Sequence, residues 1–159
     1  MDGAERLLCL DQETGELLWT QEWPATYRNL NVRFATGPRA TPSVDGDRVY
    51  VVGAAGMILC LDIASGSVVW QVDTVAAYGT TVPVYGISTS PLIDGDRLIA
   101  IVGGEPDAFI VAFDKSTGDE IWRAQPLVSE TGYAAPMIYE AGGVRQLMPL
   151  RSVFFHCNP

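Results

Sequence analysis

The chain has 159 residues, 48% of them hydrophobic and 18% charged, and its formal net charge is −9 with a pI near 4.4. That length and apolar content suit one domain with a real core. The acidic balance, with no basic stripe to neutralise phosphates, excludes a nucleic-acid partner, and no apolar run reaches the roughly 20 residues of a membrane span.

Residues 1–4 read as a lead-in with no signal peptide before the first strand. Residues 5–10 alternate as a strand, 11–15 form a polar turn, and 16–21 make the next strand. These two correspond to strands c and d of the units that follow. Residues 22–39 contain Pro24, Tyr27, Asn29, Asn31, Gly37 and Pro38 and read as a long irregular connection, either plain surface or ligand-facing.

A full unit then begins. Residues 40–44 are strand a, Asp45-Gly46-Asp47 is a tight turn, 48–53 strand b, 57–61 strand c and 68–72 strand d. The order recurs as 88–93, Asp94-Gly95-Asp96, 97–102, 109–113 and 120–123, with 103–107 lengthening the b–c loop. A further start follows at 133–139, with 140–143 as turn and 144–150 as strand b. Pro149 fits only an edge or an end of that strand. Residues 153–157 occupy the place of another c strand, and there the pattern breaks. The units are therefore 5–21, 40–73, 88–124 and a partial 133–157.

One phrase ties these units together. Asp11-Gln12-Glu13-Thr14-Gly15-Glu16-Leu17-Leu18-Trp19 returns as Asp62-Ile63-Ala64-Ser65-Gly66-Ser67-Val68-Val69-Trp70 and as Asp114-Lys115-Ser116-Thr117-Gly118-Asp119-Glu120-Ile121-Trp122. The tryptophans lie 51 and 52 residues apart, a period that marks a repeat architecture. Each aspartate can accept backbone N–H groups of its own turn, and each glycine supplies a positive φ without a Cβ penalty. The tryptophan rings can cover the turn or pack between sheets. Antiparallel four-stranded units in register are blades of an all-β propeller, about three to this chain. A parallel β-helix needs shorter rungs, a sandwich does not explain the period, and a flat meander leaves both edges bare.

The phrase, preceded by Cys9-Leu10, Cys60-Leu61 or Ala112-Phe113, resembles the pyrroloquinoline-quinone-type propeller repeat. That repeat is shared by quinoprotein alcohol dehydrogenases and outer-membrane assembly lipoproteins. The resemblance covers roughly residues 5–157 and implies that Trp19, Trp70 and Trp122 dock between neighbouring blades. It also implies seven or eight blades in a whole ring, more than this sequence holds, and a compartment that is often periplasmic. A homodimer closes the ring economically: the c–d pair of one copy completes the a–b pair of the other, twice, giving six blades. Another closed assembly or an open fragment fits the same strand count. Residues 6–10 and 153–157 both claim the c position in the shared blade.

The residues carry little chemistry. Cys9 and Cys60 hold the same strand position and read as small buried hydrophobes rather than a disulfide or metal site. His156, the single histidine, lacks the partners that zinc needs. Glu105 and Asp107 sit in an insertion too sparse for the six to eight oxygens of calcium. The resemblance offers two functional classes. One is a non-catalytic scaffold or protein-binding module without cofactor. The other is a dehydrogenase, or a remnant of one, using the quinone (PQQ) with calcium beside it, although the adjacent cysteines of many such enzymes are absent. The d–a connections cross toward the ring axis, so Tyr27, Arg28, Asn31, Arg33, Arg39, Tyr78 and Tyr85 are the candidate contacts at a channel mouth, for a protein partner or as ordinary connection.

Overall fold

Proline and glycine divide the chain into short antiparallel strands, some alternating with one apolar face and some apolar on both faces. A computed structural model describes residues 2–27, 37–103, 109–124 and 132–149. The elements are β1 (Asp2–Leu10), β2 (Leu17–Thr26), β3 (Ser43–Asp45), β4 (Arg48–Val52), β5 (Met57–Asp62), β6 (Val68–Asp73), α1 (Thr74–Tyr78), β7 (Leu92–Asp94), β8 (Arg97–Val102), β9 (Phe109–Asp114), β10 (Glu120–Arg123), β11 (Met137–Ala141) and β12 (Val144–Met148). They form a β1–β2 pair, a four-stranded sheet β3–β4–β5–β6, a second four-stranded sheet β7–β8–β9–β10, and a β11–β12 pair. We call these the first pair, the second sheet, the third sheet and the last pair.

The four pack in chain order through their faces. Each sheet has a rear face toward its N-terminal neighbour and a forward face toward the next. Val49, Val51, Leu59 and Leu61 on the rear of the second sheet pack with Leu7, Trp19 and Trp23 of the first pair. Tyr50, Val52, Ile58, Cys60 and Trp70 on its forward face meet Leu98, Ala100, Val102, Val111 and Phe113 of the third. Ile99, Ile101, Ile110, Ala112 and Trp122 then meet Ile138 and Leu147 of the last pair. Because the b and c strands of a middle sheet are covered on both sides, their apolar residues run without a break, as in RVYVV and RLIAIV.

Four expectations from the sequence change here. β1 begins at Asp2 and β2 runs to Thr26, so neither the lead-in nor residues 22–26 are irregular. The reason is alternation that continues past the turn-rich stretch: Trp23, Ala25 and Tyr27 all point inward and are buried. Pro24 is tolerated because β2 pairs with β1 alone, leaving its other edge without a ladder. Strands a are shorter than the reading of 40–44, 88–93 and 133–139. β3, β7 and β11 each start directly after a proline, Pro42, Pro91 or Pro136, whose missing N–H cannot extend a ladder. Around the first two prolines the chain binds the neighbouring sheet instead: Thr41 N–H donates to Ser90 Oγ at 2.9 Å, and Ser43 Oγ donates to the Pro91 carbonyl at 2.6 Å.

The third change is α1, which occupies part of a connection read as irregular. Asp73 caps it by accepting from the Ala76 N–H at 3.0 Å, and Gly79 ends it in the left-handed region. The 140–143 turn is also tighter than expected, since β11 runs through Ala141 and only Gly142 and Gly143 lie between the strands. Residues 153–157, including Cys157 and His156, lie outside the described residues, as do Glu105 and Asp107.

Candidate functional site

The three c–d hairpins share one geometry. Asp62 Oδ1 accepts the Ser65 N–H at 2.9 Å and the Ser65 hydroxyl at 2.8 Å, while the Gly66 N–H closes the loop on the Asp62 carbonyl at 2.8 Å. Asp11 binds the N–H groups of Glu13 and Thr14, and Asp114 those of Ser116 and Thr117. The Ser65 hydroxyl and N–H hold the Asp62 carboxyl below its ordinary range, and the Thr14 N–H does the same for Asp11. Gly15, Gly66 and Gly118 have φ of +73°, +72° and +80°.

Two of these hairpins are seats for a tryptophan from the preceding unit. The Trp19 indole lies over Gly66 and its Nε1–H donates to the Ile63 carbonyl at 2.9 Å. Trp70 lies over Gly118 and donates to the Lys115 carbonyl at 3.0 Å. Opposite each indole on the c strand sits a small residue, Cys9 by Trp19, Cys60 by Trp70 and Ala112 by Trp122. Cys60 is buried and Cys9 half-buried, and both are free thiols.

The third seat and the third ring are not matched to each other. A Cβ at Gly15 would meet nothing within 4 Å. Trp122 is half-buried beside Ile138 and Leu147, and no hairpin among the described residues seats it. The outer faces follow suit. Leu8 and Leu10 on the rear of the first pair are 50% and 51% exposed, whereas Leu59 and Leu61, their equivalents one repeat on, are fully buried. Met148 on the forward side of the last pair is 41% exposed where its equivalent Ile101 is 2%.

A contact that sequence reading missed joins the first pair to the second sheet. Glu5 is buried; its Oε1 accepts the Tyr27 hydroxyl at 2.9 Å and the Ala54 N–H at 3.0 Å, and its Oε2 accepts the Trp23 indole at 3.0 Å. Gly53 lies against it with no room for a side chain. A glutamate in an alternating strand gives no cue to this role. The cue was Trp23 and Tyr27, two apolar rings with polar tips spaced to share a face with it.

The channel-mouth candidates disperse. Tyr27 is committed to Glu5, and burial with that hydrogen bond pushes its hydroxyl well up. Tyr78 is half-buried, donates to Glu120 at 3.0 Å, lies 4.8 Å beneath the Arg123 guanidinium, and is pushed up to about 12 by burial first and Glu120 second. Tyr85 meets Tyr133 edge-on with centroids 6.0 Å apart, both exposed, on the d–a connections of successive units. Arg39 is exposed. Arg28, Asn31 and Arg33 lie outside the described residues.

The quinone-and-calcium chemistry does not fit the described residues. A cavity of about 440 Å³ opens between the first pair and the second sheet, lined by Pro24, Thr26, Ala55, Met57, Asp73 and Thr80 among others. Among the described residues it offers no Arg or Lys to reach a quinone, and the one carboxylate among them, Asp73, caps α1. Other carboxylates are engaged: Asp45 by Lys115 at 2.7 Å, Asp94 by Arg145 at 2.6 Å, Glu120 by Arg123 at 2.9 Å. Among the described residues no three His, Cys, Asp or Glu side chains converge to hold a metal.

Comparison with known proteins agrees with this geometry. The family model described as outer membrane protein assembly factor BamB matches residues 3–148. The BamB of Kangiella koreensis is 23% identical over 123 residues, which are 77% of this chain and 28% of that protein. Among solved structures, BamB from Moraxella catarrhalis is 28% identical with a TM-score of 0.58, over 85% of this chain and 35% of that one. A europium-containing methanol dehydrogenase aligns at a TM-score of 0.58 and 19% identity, over 80% of this chain and 22% of that one. The quinohemoprotein alcohol dehydrogenase of Comamonas testosteroni aligns at 0.56 and 22%, over 76% and 18%. At that identity the enzymes share the fold alone, the four-stranded antiparallel blades of a β-propeller. The chain spans about a third of the length of the BamB proteins it matches.

Proposed function

Since the chain belongs to the outer membrane protein assembly factor BamB family, through a match over residues 3–148, we propose that it is a non-catalytic scaffold whose task is to bind other protein surfaces. The carrying observation is the pair Leu8 and Leu10, half exposed where their buried counterparts Leu59 and Leu61 are covered by another blade. An apolar blade face left to water is an interaction surface or an aggregation hazard. The reading needs no cofactor, in keeping with carboxylates that are spent on turns and ion pairs.

For the 159-residue polypeptide, the partner we propose is a second copy. The first pair of one copy lies beside the last pair of the other, twice. Twelve strands among the described residues of each copy, at four per blade, then make a six-bladed ring with no bare edge. A further protein partner would meet the loop face, where Tyr85 and Tyr133 lie side by side with polar tips.

Thermal unfolding tests both halves of this reading. Association stabilises by mass action, so the midpoint should rise with the concentration of the protein itself. Adding the quinone with calcium should leave it unmoved. A midpoint that ignores protein concentration and rises with quinone and calcium would overturn the scaffold reading.

A further inference from the structure

We infer that the cavity between the first pair and the second sheet receives a lysine side chain of a partner protein, its stem against Met57, Val75 and Val82 and its ammonium on Asp73. The inference rests on the protein-binding reading above and deepens it by naming what the partner carries.

The cavity holds about 440 Å³, within the range of small-ligand sites. Most of its wall is built by the second sheet and the connection that follows it. The Thr74 N–H and hydroxyl both donate to the Gly56 carbonyl, at 3.0 and 2.7 Å, and so lay α1 against the b–c loop. Gly56 permits that approach, since a Cβ there would fall 2.9 Å from Thr74 Oγ1 and 3.1 Å from Val75 Cγ2. Gly79 ends the helix in the left-handed region, and residues 80–82 then return to the cavity wall. Residues 24–26 of β2 close the other side.

The lining has an apolar body and one charge. Met57, Val75 and Val82 are half-buried, which leaves apolar surface toward the cavity. Asp73 is exposed, and its Oδ1 accepts the Ala76 N–H at 3.0 Å. Among the described residues no cation pairs with Asp73 and its second oxygen accepts no hydrogen bond. Asp45, Asp94 and Glu120 each have a cation within 2.9 Å. Thr80, on the buried side of the lining, is 3% exposed and its hydroxyl is without a hydrogen-bond partner.

An apolar trough with a carboxylate on its rim matches a cation on a hydrocarbon stem, as lysine lays its methylenes on apolar surface and keeps its head in water. A guanidinium fork pairs best with both carboxylate oxygens, and the cap of α1 occupies one of them. The single lysine of this sequence, Lys115, is held by Asp45 at 2.7 Å, so a second copy does not bring the ammonium.

The test titrates the capped tripeptide acetyl-Leu-Lys-Leu-amide into the isotope-labelled full chain and follows backbone amide shifts, which should concentrate at residues 55–57 and 73–82. Norleucine in place of the lysine keeps the stem and removes the charge. That peptide should bind roughly fivefold more weakly, the upper end for an exposed ion pair, and an arginine version should also bind more weakly than the lysine one. Asp73→Asn retains the helix cap, because asparagine caps as well as aspartate. It should bring the lysine peptide down to the norleucine level and leave the norleucine peptide unchanged. Equal affinity for lysine and norleucine, a preference for arginine, or shifts centred elsewhere would each overturn the assignment. The dependence of the unfolding midpoint on protein concentration is a separate readout, so a peptide that fails here leaves the scaffold reading standing.

Discussion

The Trp19 indole lies so close to Gly66 that a Cβ there would fall 2.5 Å from its Cε3 atom, and Trp70 stands to Gly118 in the same way, 2.7 Å from Cδ2. The glycine thus has two tasks. It takes a positive φ that the turn requires, and it leaves a flat floor for the ring of the preceding blade. The tryptophan is in turn fixed by donating to the turn carbonyl.

Gly66→Ala should therefore cost more than the turn alone explains. Left-handed strain accounts for about 1–2 kcal/mol, and forcing the ring off its floor adds about 1–3 kcal/mol. Gly95→Ala has similar strain and open space around it, so it should show the first contribution only. Urea unfolding of the two variants measures the difference. Equal losses would mean that the ring does not rest on the glycine.

Trp70→Ala should destabilise by about 3–5 kcal/mol, as large buried aromatics do on truncation. Trp70 also packs on Tyr50 at 6.1 Å between centroids and holds the hydrogen bond to Lys115. An unchanged unfolding midpoint would show that the ring is not packed between sheets.

Glu5→Ala should strand the Trp23 indole, the Tyr27 hydroxyl and the Ala54 N–H, each a buried donor. A stranded buried donor costs about 1–3 kcal/mol, so the first pair should come away from the second sheet before the rest unfolds. Hydrogen exchange resolved along the chain reads this: residues 2–27 should lose protection while β8 and β9 keep theirs. Uniform loss across all strands would contradict the local role.

The turn aspartates predict how stability depends on pH. Asp11 and Asp62 have folded pKa values lowered by their own turns, so each contributes stability that is present above the unfolded value near 3.8 and lost as pH falls through the folded one. Asp62→Asn should flatten the acid limb of the stability curve. At the other end, Tyr50 and Tyr78 are pushed up to about 12, chiefly by burial. Their contribution is intact below the ordinary value of 10 and is lost as pH rises toward 12. Phenolate absorbance should show two tyrosines ionising in that window, together with unfolding. If both ionise at the ordinary value with the fold intact, the burial is wrong.

Much of this architecture was legible because the repeat wrote it three times. Asp11, Asp62 and Asp114 at one spacing gave the c–d turns, and Asp45-Gly46-Asp47 and Asp94-Gly95-Asp96 marked where the b strands begin. What escaped was set by contacts between units. Residues 22–26 looked irregular because Pro24 and the surrounding polar residues suggest a loop, yet Trp23 and Tyr27 had a buried carboxylate to meet. The described channel-mouth candidates are drawn apart for a related reason. Tyr27 and Tyr78 sit at equivalent places in the repeat, but Glu5 claims one hydroxyl and Glu120 the other. Among the described candidates, Tyr85, with Tyr133 beside it, and Arg39 are left exposed.

The most direct check on an open propeller sector that closes by association is its mass in solution, by light scattering across a dilution series. Twice 17.2 kDa, falling toward one copy only on dilution, is the predicted result. A stable single copy at every concentration, with Leu8 and Leu10 left to water, would contradict it.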